Sequence, residues 1–195
     1  VTTELANLAD YHIKLRPGTN VAVLNMMLHF IIKSKLYNAD FVRDRTEGFD
    51  NFLNEIERQD VDQLAKVAGV DKQLVKEAAI AYATARNSME FHGLGVTEHE
   101  QGSKTVMLIA DLAMITGNIG RKGVGVNPLR GQNNVQGAAD MGCQPHQGAG
   151  YFPVADEKHQ EFYTEKYGVT HPTKPGLKIP QMFEAAINKE LKGLW

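Results

Sequence analysis

Residues Ser88 to Thr116 form the stretch that decides the fold, SMEFHGLGVTEHEQGSKTVMLIADLAMIT. Ser88 to His92 is a short extended run, Gly93 to Glu98 is a turn containing two glycines, and a helix follows from about Ser103. A strand, a glycine turn and a helix together form the unit that binds ligands at the carboxyl ends of parallel strands. The sequence therefore predicts an α/β fold in which helices are layered on a small, mostly parallel sheet.

The glycine turn matches a dinucleotide-binding fingerprint only in part. Gly93 and Gly95 are present, but Glu98 occupies the place of the third glycine, so the turn does not identify a nicotinamide site. The helix after the turn is apolar on nearly all sides, which predicts that it is buried between layers.

Half of the chain's 18 glycines lie between Gly117 and Gly150. Glycine lets backbone N–H groups approach a ligand without a Cβ in the way, so we expect a loop shaped around a polar ligand. Arg121, Lys122 and Arg130 indicate that this ligand is anionic. The alternative is a long solvated connection. Such linkers usually carry serine, glutamate and lysine, whereas this segment carries asparagine and glutamine, which favours a ligand site.

A second candidate ligand site precedes a largely apolar helix. Pro17 and Gly18 predict a turn, and Thr19 or Asn20 then caps a helix that begins at Val21. The free N–H groups at such a helix start can bind an anion or a nucleobase. A well-capped structural helix is the alternative, and the residues leave both open.

Further helices are indicated by caps and apolar periodicity. They are short helices broken at Gly48, a helix from Val61 to Ala68 capped by Asp60, a helix from Asp71 to about Arg86, a charged helix from Asp156 to Tyr167, and a helix from Gln181 to Leu191 with Met182, Phe183, Ala186 and Ile187 facing inward.

Composition narrows the possible partners. The chain has 195 residues, of which 43% are hydrophobic, a composition typical of soluble globular proteins. Its formal net charge of -2 gives no excess of positive charge to bind the phosphates of a nucleic acid. The longest apolar run, Val21 to Ile32, is shorter than the roughly 20 residues that cross a bilayer. The single cysteine, Cys143, excludes an internal disulfide or a four-cysteine cluster, and we predict no metal ligand in this chain.

Three segments together resemble a known family. They are ADYHIKLRPGTN, GLGVTEHEQGSKTV and LAMITGNIGRKGVGVNPLRGQNNVQGAADMG. They are similar to the catalytic (alpha) subunit of formate dehydrogenases that use bis(molybdopterin guanine dinucleotide) with molybdenum or tungsten, in the dimethyl sulfoxide reductase superfamily. The resemblance covers essentially all of the chain and is weakest after Pro153. Its central motif, NPLRGQNNVQG, is specific, because nitrate reductases of the superfamily carry a different loop here.

The resemblance implies an activity and a set of site residues. Members oxidise formate to carbon dioxide, or run the reverse reaction, and Arg130 matches the arginine that holds the formate carboxylate. Gly131 and Gln132 would line the same pocket and contact a pterin. The matches to a guanine-binding helix start are Gly18, Thr19 and Asn20, and those to a second cofactor contact are Leu94, Gly95 and Glu98.

Two of these positions depart from the family. Leu94 and Glu98 stand where methionine and glutamine are usual, and a carboxylate beside a pyrophosphate must be protonated, turned away or paired with a cation.

The resemblance also implies an internal fragment of a multidomain subunit that is inactive alone. We expect residues 1–130 to be an α/β cofactor-binding unit ending in the arginine loop and residues 131–195 to begin a second, incomplete segment. The iron–sulfur cluster and the metal's cysteine or selenocysteine ligand would lie in a missing N-terminal part, and electron-transfer subunits would be partners. Another molybdopterin oxidoreductase, such as a nitrate reductase, or a non-catalytic subunit-docking module are the alternatives. The compartment, cytoplasmic or periplasmic, is left undetermined.

Overall fold

The computed structural model describes residues 2–194, and the chain separates into two compact units, Val1–Arg130 and Gly131–Trp195. That the first unit binds a cofactor and that the second is an incomplete segment remain predictions. No helix within residues 2–194 is long and apolar enough to cross a membrane.

The first unit is mainly helical with a small sheet near its carboxyl end. Its elements in chain order are α1 (Glu4–Leu8), α2 (Asn20–Lys33), α3 (Ala39–Arg45), α4 (Phe49–Glu57), α5 (Val61–Ala68), α6 (Lys72–Thr84), β1 (Met89–His92), α7 (Leu94–Thr97), α8 (Gly102–Ile115) and β2 (Gly125–Pro128).

The caps of α5 and α6 fall where the sequence predicted them. The Asp60 side chain accepts hydrogen bonds from the backbone N–H groups of Asp62 and Gln63 at the start of α5. Asp71 accepts in the same way from the N–H of Gln73, and α6 ends at Thr84, two residues before the predicted limit. Such a cap stabilises a helix by about 1 kcal/mol, because it satisfies an N–H group that has no partner inside the helix.

The core of the first unit is built around α2, which packs against α4, α5, α6 and α8. Leu28 and Ile31 of α2 are fully buried, and burying one such side chain contributes about 1.5–3 kcal/mol. A second cluster joins Met26 of α2 to Ala68 of α5 and Val75 of α6. The first half of α2, which also contributes Ala22 and Val23 to this cluster, is therefore held against α5 and α6.

The sheet consists of β1 and β2, which pair in parallel with His92 opposite Pro128. Alternate residues of a strand point to opposite faces, so Glu90 and His92 share one face and Met89 and Phe91 share the other. The second face is exposed, with Phe91 61% accessible. The small parallel sheet among many helices confirms the predicted α/β class.

Two expectations about the central stretch were wrong. Gly117 to Gly150 is not a continuous loop, because it contains β2 and a helix, α9 (Val135–Asp140). The strand was missed because it is specified by its pairing with β1, which no local pattern in a glycine-rich segment reveals. Helix α8 is not buried on nearly all sides, since Met107 is 66% exposed; only its other face packs on α2, α3 and the sheet.

The second unit is organised around one aromatic cluster. Besides α9 it contains a 3₁₀ turn (Ala149–Tyr151), α10 (Glu157–Tyr167) and α11 (Ile179–Ile187). The buried Tyr163 ring stacks on Tyr167 at 5.7 Å and on His171 at 4.8 Å between ring centroids. Stacked aromatic pairs contribute about 0.5–1.5 kcal/mol each beyond the area that they bury.

The predicted inward face of α11 was also wrong. Phe183 and Ile187 are 56% and 80% exposed, and the buried residue of this helix is Ala185. The helix begins at Ile179, two residues earlier than predicted, and of the four residues expected to face inward Met182 alone is partly buried. Apolar periodicity identifies a stripe, but only packing decides whether the stripe is covered.

Candidate functional site

The turn before α2 is fixed to the carboxyl end of α5. The Arg16 N–H donates to the carbonyl of Ala68 at 2.9 Å, and the Arg16 guanidinium donates to the carbonyls of Lys66 and Val67 at 3.0 and 3.3 Å. A cation is favoured there, because the last carbonyls of a helix carry partial negative charge. Gly18 then turns the chain in the left-handed region, at φ +81°.

The start of α2 lacks the side-chain cap that the sequence predicted. Thr19 occupies the cap position, but its hydroxyl donates to the Arg16 carbonyl at 2.6 Å instead of accepting from the helix. Within residues 2–194, no side chain accepts a capping hydrogen bond at the start of α2. The helix therefore presents its first backbone N–H groups without a side-chain partner, and such groups can bind an anion or a polar ring.

A cleft of about 140 Å³ connects the start of α2 to α7. Asn20 and Val96 line it, together with apolar side chains of α2 and α8. The cleft therefore touches each of the segments 18–20 and 94–98 at one residue, and Asn20 is the one predicted contact residue that lines it. Their closeness depends on tertiary packing, because α2 and α7 are far apart in the sequence.

The glycine turn after β1 is a single helical turn rather than an open loop. The Gly93 carbonyl accepts hydrogen bonds from the N–H groups of Val96 and Thr97 at 3.0 and 3.2 Å, which starts α7. Gly95 and Glu98 are exposed and Leu94 is partly exposed. The positions that the resemblance implicates are thus accessible on the surface of the first unit.

Arg130 follows β2 at the edge of the sheet where β1 also ends. The N–H of Leu129 donates to the His92 carbonyl at 2.6 Å, which extends the pairing by one residue beyond the strands. Arg130 comes next and is exposed, and its guanidinium makes no hydrogen bond or ion pair with the described residues of the first unit, 2–130. The carboxyl edge of the sheet thus carries both the α7 segment and a cation that is free to bind a ligand.

Arg121 is not part of a ligand site, contrary to the expectation that it helps bind an anion. Its guanidinium donates to the Arg86 carbonyl at 3.1 Å, to Asn118 Oδ1 at 3.0 Å and to Asn87 Oδ1. Arg86 and Asn87 precede β1, and Asn118 Oδ1 accepts from the Ser88 N–H at 3.2 Å, so all three lie at the amino end of β1, opposite the edge where Arg130 lies. Arg121 therefore stabilises the fold at this edge, and Arg130 and Lys122 are the cations left to attract an anion.

Two further predicted residues open the second unit. Gly131 and Gln132 are both exposed, and they follow Arg130 directly in the chain. Their assignment to a pterin contact remains a prediction.

A buried polar pair on β1 was not identified from the sequence. The Tyr82 hydroxyl donates to Oε1 of Glu90, and neither Glu90 Oε2 nor Nδ1 of the buried His92 has a partner among residues 2–194. Burial raises the pKa of Glu90 to about 7. The available signal was the alternation of Glu90 and His92 on one face of a strand whose other members are apolar.

The described residues do not assemble a metal centre of their own. Residues 2–194 contain no group of three or more histidine, cysteine, aspartate or glutamate side chains placed to hold a metal ion. Cys143 is exposed in the second unit. In the described part of the first unit, the groups accessible to a ligand are the exposed Arg130 guanidinium, the start of α2 and the cleft beside it.

Known proteins similar to this chain include oxidoreductases of two kinds. Formate dehydrogenase H of Escherichia coli strain K12 is 40% identical over 193 residues, which cover 98% of this chain and 27% of that protein. The assimilatory nitrate reductase catalytic subunit of Bacillus subtilis strain 168 is 29% identical over 195 residues, covering 99% of this chain and 28% of that protein. The chain spans about a quarter of the length of the curated relatives it matches.

A solved structure has a similar fold. Acetylene hydratase from Pelobacter acetylenicus superposes with a TM-score of 0.59 at 24% identity, over 62% of this chain and 17% of that chain. At this identity the likeness concerns the fold alone. The family described as molybdopterin oxidoreductase matches residues 2–195, which is nearly every residue. The chain therefore belongs to the molybdopterin oxidoreductase family.

Proposed function

We propose that this chain is part of the catalytic subunit of a formate dehydrogenase, which oxidises formate to carbon dioxide or catalyses the reverse reaction. The observation that carries the proposal is the exposed guanidinium of Arg130, which has no hydrogen-bond or ion-pair partner among residues 2–130 and follows the carboxyl end of a parallel strand within the sequence NPLRGQNN. The 40% identity to formate dehydrogenase H supports it. On this proposal the 195-residue chain by itself does not oxidise formate.

Arg130 would bind the substrate through its charge and its shape. A guanidinium offers parallel N–H donors that match the two oxygens of a carboxylate, and it stays charged at any working pH. Formate has only these two oxygens and one hydrogen, so a two-point contact orients the C–H bond as well as binding the anion. Arg130 would therefore lower the KM for formate and also hold the substrate in a reactive direction.

The residues of the first unit fit the cofactor that the family implies, bis(molybdopterin guanine dinucleotide) with molybdenum or tungsten. Gly18, Thr19 and Asn20 present an uncapped helix start that can donate to a guanine or a phosphate. Leu94, Gly95 and Glu98 would form a second contact beside the same cleft. When bound, the cofactor supplies the metal that accepts the two electrons released as formate becomes carbon dioxide and a proton.

Gly131 and Gln132 would add a pterin contact directly after Arg130. In this proposal an iron–sulfur cluster elsewhere in the subunit and separate electron-transfer subunits carry the electrons away. Both lie outside this chain, whose own part is to bind formate and a portion of the cofactor.

The test is the replacement of Arg130 in the full-length subunit. Arg130→Ala should lower kcat/KM for formate by at least about a hundredfold, because a carboxylate loses its charge-assisted hydrogen bonds and its orientation. Metal and pterin content, measured on the same preparation, should stay close to the parent value.

The matched control is Arg58→Ala, which removes an exposed arginine at the end of α4 whose one ion pair within residues 2–194 is with Glu55 at 3.5 Å. This variant should keep parental turnover. Formate turnover by Arg130→Ala with an ordinary KM would show that the guanidinium does not hold the substrate.

Nitrate reduction is the second candidate, because the Bacillus subtilis nitrate reductase subunit matches the chain over a similar length. Nitrate is also a small planar anion that a guanidinium can bind. Assays of the full-length enzyme with formate and an artificial electron acceptor, and with nitrate and an artificial donor, separate the two. We expect turnover with formate only.

A further inference from the structure

The backbone on either side of the His92–Gly93 peptide bond contacts both segments of the candidate site. The His92 carbonyl accepts from the N–H of Leu129, the residue before Arg130, and the Gly93 carbonyl accepts from the N–H groups of Val96 and Thr97 in α7. A shift of this peptide would therefore move the arginine segment and the α7 segment relative to each other.

Gly93 leaves little room for a side chain. A Cβ built at this position would lie 3.3 Å from the carbonyl oxygen of Leu129, which is closer than most carbon–oxygen contacts in proteins. The Gly93 backbone has φ -141° and ψ -153°, outside the left-handed region, so glycine is not needed there for its conformational freedom. The missing side chain instead lets the Leu129 backbone approach.

The neighbouring residue prevents this peptide from moving away. The His92 side chain is only 7% exposed and lies on the inner face of the sheet, so His92 is anchored in the core of the first unit. A side chain added at Gly93 would therefore displace the exposed Leu129 and Arg130 rather than the buried strand.

We infer that Gly93 is a positioning residue, whose lack of a side chain sets the spacing between α7 and the segment that presents Arg130. The inference rests on the proposed function, in which Arg130 orients formate beside a cofactor that α7 helps to hold. Gly93 itself touches neither the substrate nor the reacting atoms. Its effect is transmitted through the hydrogen bond from Leu129 to His92.

The experiment is Gly93→Ala in the full-length enzyme, read out in three ways. The new Cβ should displace Leu129 by a few tenths of an ångström, so the Leu129 amide should exchange with solvent about fivefold faster or more. The KM for formate should rise about five- to twentyfold while kcat changes by less than about threefold, because Arg130 is misplaced but still present. Metal and pterin content should be unchanged.

Gly193→Ala is the matched control, because a Cβ at Gly193 would meet no atom within 4 Å. It should leave all three measurements at the parental value. In a parent enzyme that oxidises formate, the inference is overturned if Gly93→Ala leaves the KM or the Leu129 exchange rate unchanged, or if turnover falls only in proportion to lost pterin. If the parent enzyme does not oxidise formate, the proposed function is refuted before any variant is compared. The inference about Gly93, which rests on that function, is then refuted too.

Discussion

Replacing Glu90 with glutamine should make the first unit more stable at alkaline pH and leave its stability almost unchanged at acidic pH. Burial on the inner face of β1 raises the pKa of Glu90 from 4.5 to about 7, so the folded chain prefers the protonated carboxyl. A raised pKa of this kind contributes stability below about pH 4.5, and the contribution is lost as the pH rises through about 7. Glutamine is uncharged throughout this range and keeps an oxygen that can accept from Tyr82.

The magnitude follows from the difference between the two pKa values. For a fully buried carboxyl, a rise from 4.5 to about 7 corresponds to about 3.4 kcal/mol between the charged and neutral forms. Glu90 is only half-buried, and solvent screening reduces the expected difference to about 1–2 kcal/mol. Above about pH 8, Glu90→Gln should therefore exceed the parent in unfolding free energy by this amount.

The assay is urea unfolding of the parent and of Glu90→Gln, followed by circular dichroism between about pH 5 and about pH 8. Burial also raises the pKa of Asp111, so the parent's pH dependence alone does not isolate Glu90, whereas the difference between parent and variant does. Glu100→Gln, at an exposed position, should show no pH-dependent difference. A Glu90→Gln difference that stays constant from acidic to alkaline pH would refute the argument from burial.

Two other substitutions test the roles of neighbouring charges. Arg121→Ala should lower the unfolding free energy by about 1–2 kcal/mol, because the buried Asn118 loses a hydrogen-bond donor. The control is Lys122→Ala, which removes the adjacent exposed cation and is measured in the same urea titration. Equal effects of the two substitutions would contradict the structural role of Arg121. Glu98→Gln in the full-length enzyme should leave the pterin content unchanged or raise it, because the substitution removes a negative charge beside the proposed cofactor contact. A clear loss of pterin would show that the charge is needed.

The amino-acid sequence by itself determined the local structure and the family. Asp60 and Asp71 cap helices that begin within one residue of the predicted start, and Gly48 separates two helices as expected. These features could be predicted because a cap or a helix break depends on backbone groups only a few residues away. The same held for the strand ending at His92, whose extended run is bounded by a glycine.

Side chains whose partners are distant in sequence were predicted poorly. Arg121 was predicted to be one of the anion-binding cations. In the structure its guanidinium donates hydrogen bonds to Arg86, Asn87 and Asn118. Thr19 was expected to cap α2, but its hydroxyl is used by the Arg16 carbonyl. Composition identifies which groups can bind a ligand, whereas the folded structure decides which of them are already occupied.

Only the tertiary structure decided how the candidate site is assembled. The parallel pairing of β1 with β2 brings the Arg130 segment to the edge where α7 begins, and the packing of α2 brings Asn20 to the same cleft as Val96. Neither contact leaves a periodic signal in the sequence, because each joins segments separated by many residues and is stabilised by the shared core. The candidate residues for anion binding could therefore be named from the sequence, whereas burial and strand pairing set their arrangement.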